Sequence, residues 1–163
     1  MSNTIVHSQV TQTTAFLEQT VEKVGNYLNE TTLQSLLNEN KEGDPAYFER
    51  LVSNLRRMFV FCEEGLDACK VVLNGDKFRK GAAEKALYWV YHQCVAEFYS
   101  PRHDGWYEDS RSAYTGKNAI KFTSDAPESI KVLIASLENS FQEIREELEY
   151  YETDYKTKMI QSK

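Results

Sequence analysis

The last third of the chain carries a hydrophobic repeat that few folds can accommodate. Ile130, Ile134, Leu137, Phe141, Ile144, Leu148, Tyr151 and Tyr155 follow one another at steps of four and three. That spacing keeps one face of an α-helix apolar, and a face so long has to be covered by other helices. Just ahead of it, Asp125-Ala126-Pro127-Glu128 is a helix-start signal, because a proline's missing N–H costs nothing in the first turn. The pattern predicts one uninterrupted final helix from residue 127 to near the C-terminus, roughly 50 Å long at 1.5 Å per residue.

The partners it needs are legible upstream. Val10, Thr14, Leu17, Val21, Val24 and Leu28 predict a helix over 8–28, and Thr31 or Thr32 can cap a short helix over 33–38 with Leu33, Leu36 and Leu37 inward. Asp44-Pro45 opens a third helix over 45–73, with Phe48, Leu51, Leu55, Met58, Cys62, Leu66, Cys69 and Leu73 on its seam. Gly65 weakens its middle by about 1 kcal/mol relative to alanine, which close packing of a neighbouring helix would explain. Asn74-Gly75-Asp76 breaks the chain, with Gly75 suited to a left-handed cap and Asp76 to starting the next helix. That fourth helix, over 77–99, turns Phe78, Ala83, Leu87, Val90, Cys94 and Phe98 inward. Its other faces carry Tyr88, Trp89 and Tyr91, so it is placed centrally, and Pro101 stops it. The fold class that follows is mainly all-α. Residues 1–163 form one domain, an antiparallel four- or five-helix bundle, with an irregular insert at 100–124 before the last helix.

Within the insert, Tyr114-Thr115-Gly116-Lys117-Asn118 is turn chemistry and Ala119-Ile120-Lys121-Phe122 alternates apolar with polar. These predict a β-hairpin of 111–114 against 119–122, laid on the bundle by Trp106, Tyr107, Tyr114 and Phe122, because an isolated hairpin is marginal in water. Arg111, Lys117, Asn118 and Lys121 around a glycine turn suit a phosphate or carboxylate. With Tyr114, Trp106 and His103 they make up the candidate ligand-binding set, which Arg56 and Arg57 could join. The plainer reading is a hairpin with solvated charges, in which Arg111 pairs with Asp109 or Glu108.

Composition narrows the function classes. With 41 % hydrophobic and 27 % charged residues in 163, the chain can bury a core and is not a disordered segment. A net charge of −6 makes general nucleic-acid binding unfavourable, since phosphate neutralisation supplies most of that affinity. The charge is uneven: residues 138–154 hold seven acidic side chains against Arg145, whereas 76–85 hold Lys77, Arg79, Lys80 and Lys85. There is no apolar run of membrane-spanning length and no signal-peptide pattern at the start. Three cysteines without C-x-x-C spacing fit a reducing cytoplasm. No metal or cofactor is expected. His92 with Cys94 lacks a second ligand pair at zinc spacing, E-x-x-H is missing, and no phosphate-binding or nucleophile-elbow motif occurs. His92 and Cys94, two apart on a helix, point to different sides and cannot work as a nucleophile pair. Cys62, Cys69 and Cys94 read as core packing.

The runs FRKGAAEKALYWVYHQC and WYEDSRSAYTGKNAIKF and the ending REELEYYETDYKTKMIQ resemble the YpuI-type family of uncharacterised Bacillus-like proteins over nearly the whole chain. The resemblance implies a cytosolic protein of a Gram-positive, spore-forming lineage, and it carries no catalytic residue with it. Three functional readings remain. The first is a non-catalytic interaction or scaffold protein, with an unidentified protein partner or a homodimer through the last helix. The second is a binder of a small anion or nucleic-acid phosphate through the insert. The third is an enzyme using His103, Asp104 and Asp109 as acid and base groups.

Overall fold

A computed structural model describes residues 1–109 and 119–161. The three N-terminal helices start where their caps dictate. In α1 (Asn3–Glu30) the Ser2 side chain accepts from Ile5 N, and α2 (Leu33–Glu39) opens with a reciprocal capping box between Thr32 and Ser35. In α3 (Pro45–Asn74) Asp44 accepts from Ala46 N. Next come α4 (Lys80–Trp89), a π-helical turn (Val90–Val95) and α5 (Ala96–Tyr99), which form one continuous rod. Two short strands, β1 (Trp106–Glu108) and β2 (Ile120–Phe122), precede α6 (Glu128–Glu147), a 3₁₀ turn (Glu149–Tyr151) and α7 (Asp154–Gln161). Among the described residues no helix is long and apolar enough to cross a membrane.

Side-chain pairings fix the direction of each neighbour. Along α1 and α3, Leu17 meets Gly65 while Gly25 meets Phe59, so one helix ascends as the other descends. Between α3 and the next rod, Arg57 meets Glu97 and Phe61 meets Trp89. Between that rod and the last, Phe98 stacks on Phe141 and Tyr88 meets Tyr155. Finally α1 and α6 join at Tyr27–Ser129, Phe16–Phe141 and Gln9–Glu147. All four runs are antiparallel, giving an up-down-up-down bundle around one core that includes Leu17, Leu55, Met58, Leu87, Phe98 and Phe141. Gly65 is the close-packing point expected of it: a Cβ there would lie 3.1 Å from Val90 Cγ2 and 3.3 Å from Cys94 Sγ. The π-helical turn sits against this contact, and the Cys94 thiol donates to the Phe61 carbonyl at 3.2 Å.

Two expectations need correction. Gly75 is extended (φ −71°, ψ 157°) rather than left-handed, and Asp76 does not cap the fourth helix. That helix begins at Lys80 with Arg79 in the cap position and no side-chain bond. Residues 77–79 stay out of it, and there the half-buried Phe78 packs edge-on against His7. The last helix is not one rod. It ends at Glu147, and Leu148 (φ −98°, ψ 14°) leads into the 3₁₀ turn and then α7. The apolar seam nevertheless holds, with all eight side chains from Ile130 to Tyr155 buried. The break serves Tyr151, whose hydroxyl donates to Gln9 Oε1 (3.2 Å) and whose carbonyl accepts from His92 Nε2 (2.8 Å). The expected strand over 111–114 lies outside the described residues; among those described, β2 pairs with Trp106–Glu108. The register is Trp106 opposite Phe122, Tyr107 opposite Lys121 and Glu108 opposite Ile120. Burial of Trp106 selects this pairing, because its alternate neighbour Glu108 then faces the bundle as well.

Candidate functional site: the docked insert and the clefts along α6

The insert is bolted to the bundle by polar side chains that the helices bury for that purpose. Trp106 is 1 % exposed and its indole N–H donates to the Phe98 carbonyl at 2.6 Å. Tyr47 donates to the Gly105 carbonyl at 2.8 Å. Glu97, at the end of the central rod, accepts from Arg102 N (3.2 Å). The Nε of Arg57 lies 3.0 Å away without aiming its N–H at the oxygen, so charge rather than hydrogen bonding holds that pair. Asn54, fully buried, accepts from His103 N at 3.0 Å. The 101–104 turn that brings these groups in closes with Asp104 N donating to Pro101 O, and Asp104 takes the left-handed conformation (φ 52°) that aspartate tolerates. Gly105 then lies so close to Asn54 that an added Cβ would fall 2.5 Å from Nδ2.

On the other side, α6 holds the strands. Glu138 Oε1 accepts from both Ala119 N (2.9 Å) and Ile120 N (3.1 Å). Arg145 grips Glu108 with both nitrogens of its fork: Nη1 donates to Oε1 at 3.0 Å and Nη2 lies 2.8 Å from Oε2. Its guanidinium sits 3.7 Å over the Tyr99 ring. Burial works against the Arg145 charge, but the Glu108 carboxylate more than offsets it and the guanidinium pKa is raised. Burial pushes the Tyr99 hydroxyl well above its ordinary value, with Arg145 opposing. Tyr99 is therefore a neutral donor, to Gln142 Oε1 at 3.2 Å.

Of the candidate ligand-binding residues, Arg111, Tyr114, Lys117 and Asn118 lie outside the described residues. Trp106 is a core anchor with no open face. His103 and Lys121 are both exposed, and Tyr107, expected as an anchor, is 50 % exposed while Phe122 packs edge-on to Trp106. Glu108, weighed as a partner for Arg111, is gripped by Arg145. The basic residues upstream scatter. Arg56 lines a groove with Thr31 and Leu33, Lys77 and Arg79 line a separate cleft beside Val71, and Lys80 lies near the Met1 amine. Arg57 alone of these reaches the insert, through Glu97. His92 is held by the Tyr151 carbonyl between Tyr88 and Tyr91, which fixes its proton on Nε2. The three cysteines are buried, and burial pushes the Cys69 thiol up to about 11. Among the described residues no three His, Cys, Asp or Glu side chains gather as a metal-ligand set.

What the sequence reading missed is the pair of clefts flanking the first half of α6. One, of about 570 Å³, runs between β2 and α6, with Lys121, Phe122, Lys131, Ala135 and Glu138 on its walls. The other, of about 620 Å³, lies between α6 and the end of α1, with Lys23, Tyr27, Glu30 and Leu133 on its walls. Glu128 and Val132 line both, and Val132 on the ridge between them is 58 % exposed. A β-branched apolar residue off the heptad seam was the available signal.

Compared with known proteins, the chain matches the family described as protein of unknown function DUF3907 over residues 10–157. It belongs to that family. It is also 45 % identical over 152 residues to the uncharacterised protein YpuI of Bacillus subtilis (strain 168), an alignment covering 93 % of this chain and 84 % of that protein. The resemblance read from the three sequence runs is thereby confirmed. No solved structure matches, so the helical bundle with its docked strand pair is described for the DUF3907 family from this chain's own geometry.

Proposed function

We propose that the protein is a non-catalytic interaction protein whose docking face is the first half of α6. The observation that carries this reading is Val132, 58 % exposed on the ridge between two clefts of about 570 and 620 Å³. A β-branched side chain flanked by concave, partly apolar walls is the arrangement a protein partner fills, since removing such surface from water contributes about 25 cal/mol per Å². The polar side chains that meet the insert support the same reading from the other direction. Glu97, Glu138 and Asn54 hold backbone N–H groups and Arg145 holds Glu108 in fixed geometry, as a rigid presenting surface requires.

The test places a photo-crosslinking amino acid at position 132 and, as a control, at Val71, which is 74 % exposed on another face. Irradiation of cells that natively make the protein should give a discrete adduct from position 132 and none from 71. Equal labelling from both positions, or none from either, would remove the reading.

A further inference from the structure

The cleft between α1 and α6 is one part of a groove that follows both helices. On α1 its wall holds Tyr27 and Lys23, and one turn toward the helix start Gln19 and Ala15 line a smaller hollow of about 160 Å³. On antiparallel α6 the wall runs from Ser129 through Val132 and Ser136, and Ser140 carries it into the same hollow. Wall positions three or four apart on both helices keep to one face of each, so the two clefts succeed each other along a single groove. From Ser129 to Ile144 it is about 22 Å long at 1.5 Å per residue. Tyr27, Val132 and Leu133 supply apolar contact, and Ala15, Ser136 and Ser140 are short enough to admit the ridge of a further helix. Both walls are helices, which offer an extended segment no strand edge to pair with.

We infer that this groove takes an amphipathic helix of another protein, carrying lysine or arginine beside its apolar row. The inference rests on the interaction reading above and names the cleft and the partner's chemistry. A helix laid in such a groove anchors through apolar residues at i, i+3, i+4 and i+7. Charge selects its flank. Glu30, Glu39 and Glu128 line the wider cleft against Lys23 alone, and Glu143 lines the smaller hollow without a cation. Among the described residues none of these four glutamates is in an ion pair. Glu39 accepts from Ser129 N at 3.0 Å and from Ser129 Oγ at 2.7 Å, neutral donors that leave its charge unmatched. Lys131, the nearest cation along α6, lines the other cleft and meets Asp125. Charges act over about 8 Å at physiological salt, so a docked helix meets this local excess rather than the chain's net charge of −6. A second copy docked face to face would set the glutamates against their own counterparts, whereas a basic helix answers them.

The experiment displays helical peptides of about fifteen residues, with a fixed apolar row and every other position free, and selects them on the whole chain. Amide chemical shifts then map the enriched peptides. The expected outcome is an excess of Lys and Arg over Asp and Glu at the free positions, with shifts at Lys23, Val132 and Ser136. Binding should weaken roughly tenfold in a Glu30→Gln/Glu128→Gln variant, whose two sites are exposed and do not bear on folding, and it should weaken in high salt. Peptides without that excess, peptides that map elsewhere, or binding that ignores the variant overturn the helix groove and leave the interaction reading standing. No enrichment also overturns the inference, and it takes the interaction reading with it where no adduct forms from position 132. Concentration-dependent dimerisation by light scattering that shifts the same amides overturns the inference in favour of a second copy of the chain.

Discussion

Single carboxylates decide whether the insert stays down. Glu138 satisfies two amides at once, one of them buried, so Glu138→Ala strands both at a cost of about 2–3 kcal/mol, whereas Glu138→Gln keeps an acceptor and should lose about half as much. Urea denaturation of the two variants measures the difference. Equal losses would mean that the charge, not the acceptor, matters. Glu97 and Glu138 are the residues that sequence reading could not find, because a buried glutamate and a surface glutamate look alike until a backbone turns up beside one. Arg145, one cation among seven acids, was the better clue, and the structure explains it by Glu108. Cys69 gives a pH dependence. Its folded thiol, held up to about 11 by burial, titrates after the unfolded thiol near 9, so its contribution is whole below pH 9 and is lost as pH rises through 11. Stability should fall between pH 9 and 11 by on the order of 1–2 kcal/mol more in the wild type than in Cys69→Ala. Parallel curves would refute the assignment.

At the scale of elements, helix seams were legible because burial on a helix repeats every three or four residues: the α6 seam is buried throughout, the α3 seam up to half-buried Leu73, and the α1 seam at Val10, Leu17 and Val24, with Thr14, Val21 and Leu28 half-buried. Boundaries governed by tertiary contact were not. Nothing local marks Leu148 as a stop, since the turn there answers to Gln9 and His92, both more than 50 residues away in sequence. The pairing of β2 with Trp106–Glu108 was not legible for the same reason, because it answers to Trp106, which has a core to enter. Gly65→Ala tests the packing of α3 on the π-helical turn. Alanine gains about 1 kcal/mol of helix propensity but needs room that Val90, Cys94 and Leu17 occupy at 3.1–3.4 Å. We expect a net loss of about 1 kcal/mol by thermal unfolding, and a gain would show that the two helices can part cheaply.

The whole molecule should unfold as one unit, since insert and bundle share buried polar contacts rather than a flexible tether. With 5-fluorotryptophan in place of Trp89, on the central rod, and Trp106, in the insert, both ¹⁹F resonances should convert to the unfolded position at the same urea concentration. An earlier transition for Trp106 would make the insert a separately melting part. The π-helical turn gives this unity an odd tolerance. It holds one residue more than an α-helix of the same rise requires. A one-residue deletion within Val90–Val95 would remove the bulge and leave an α-helix whose later residues keep their facing, whereas the same deletion in α4 would turn everything after it by about 100°. After a deletion in α4, Phe98 would leave Phe141 and Glu97 would leave Arg57, and the chain would still look helical to every spectroscopic measure of helix content. At this turn the rod can lose a residue without its two ends rotating against each other.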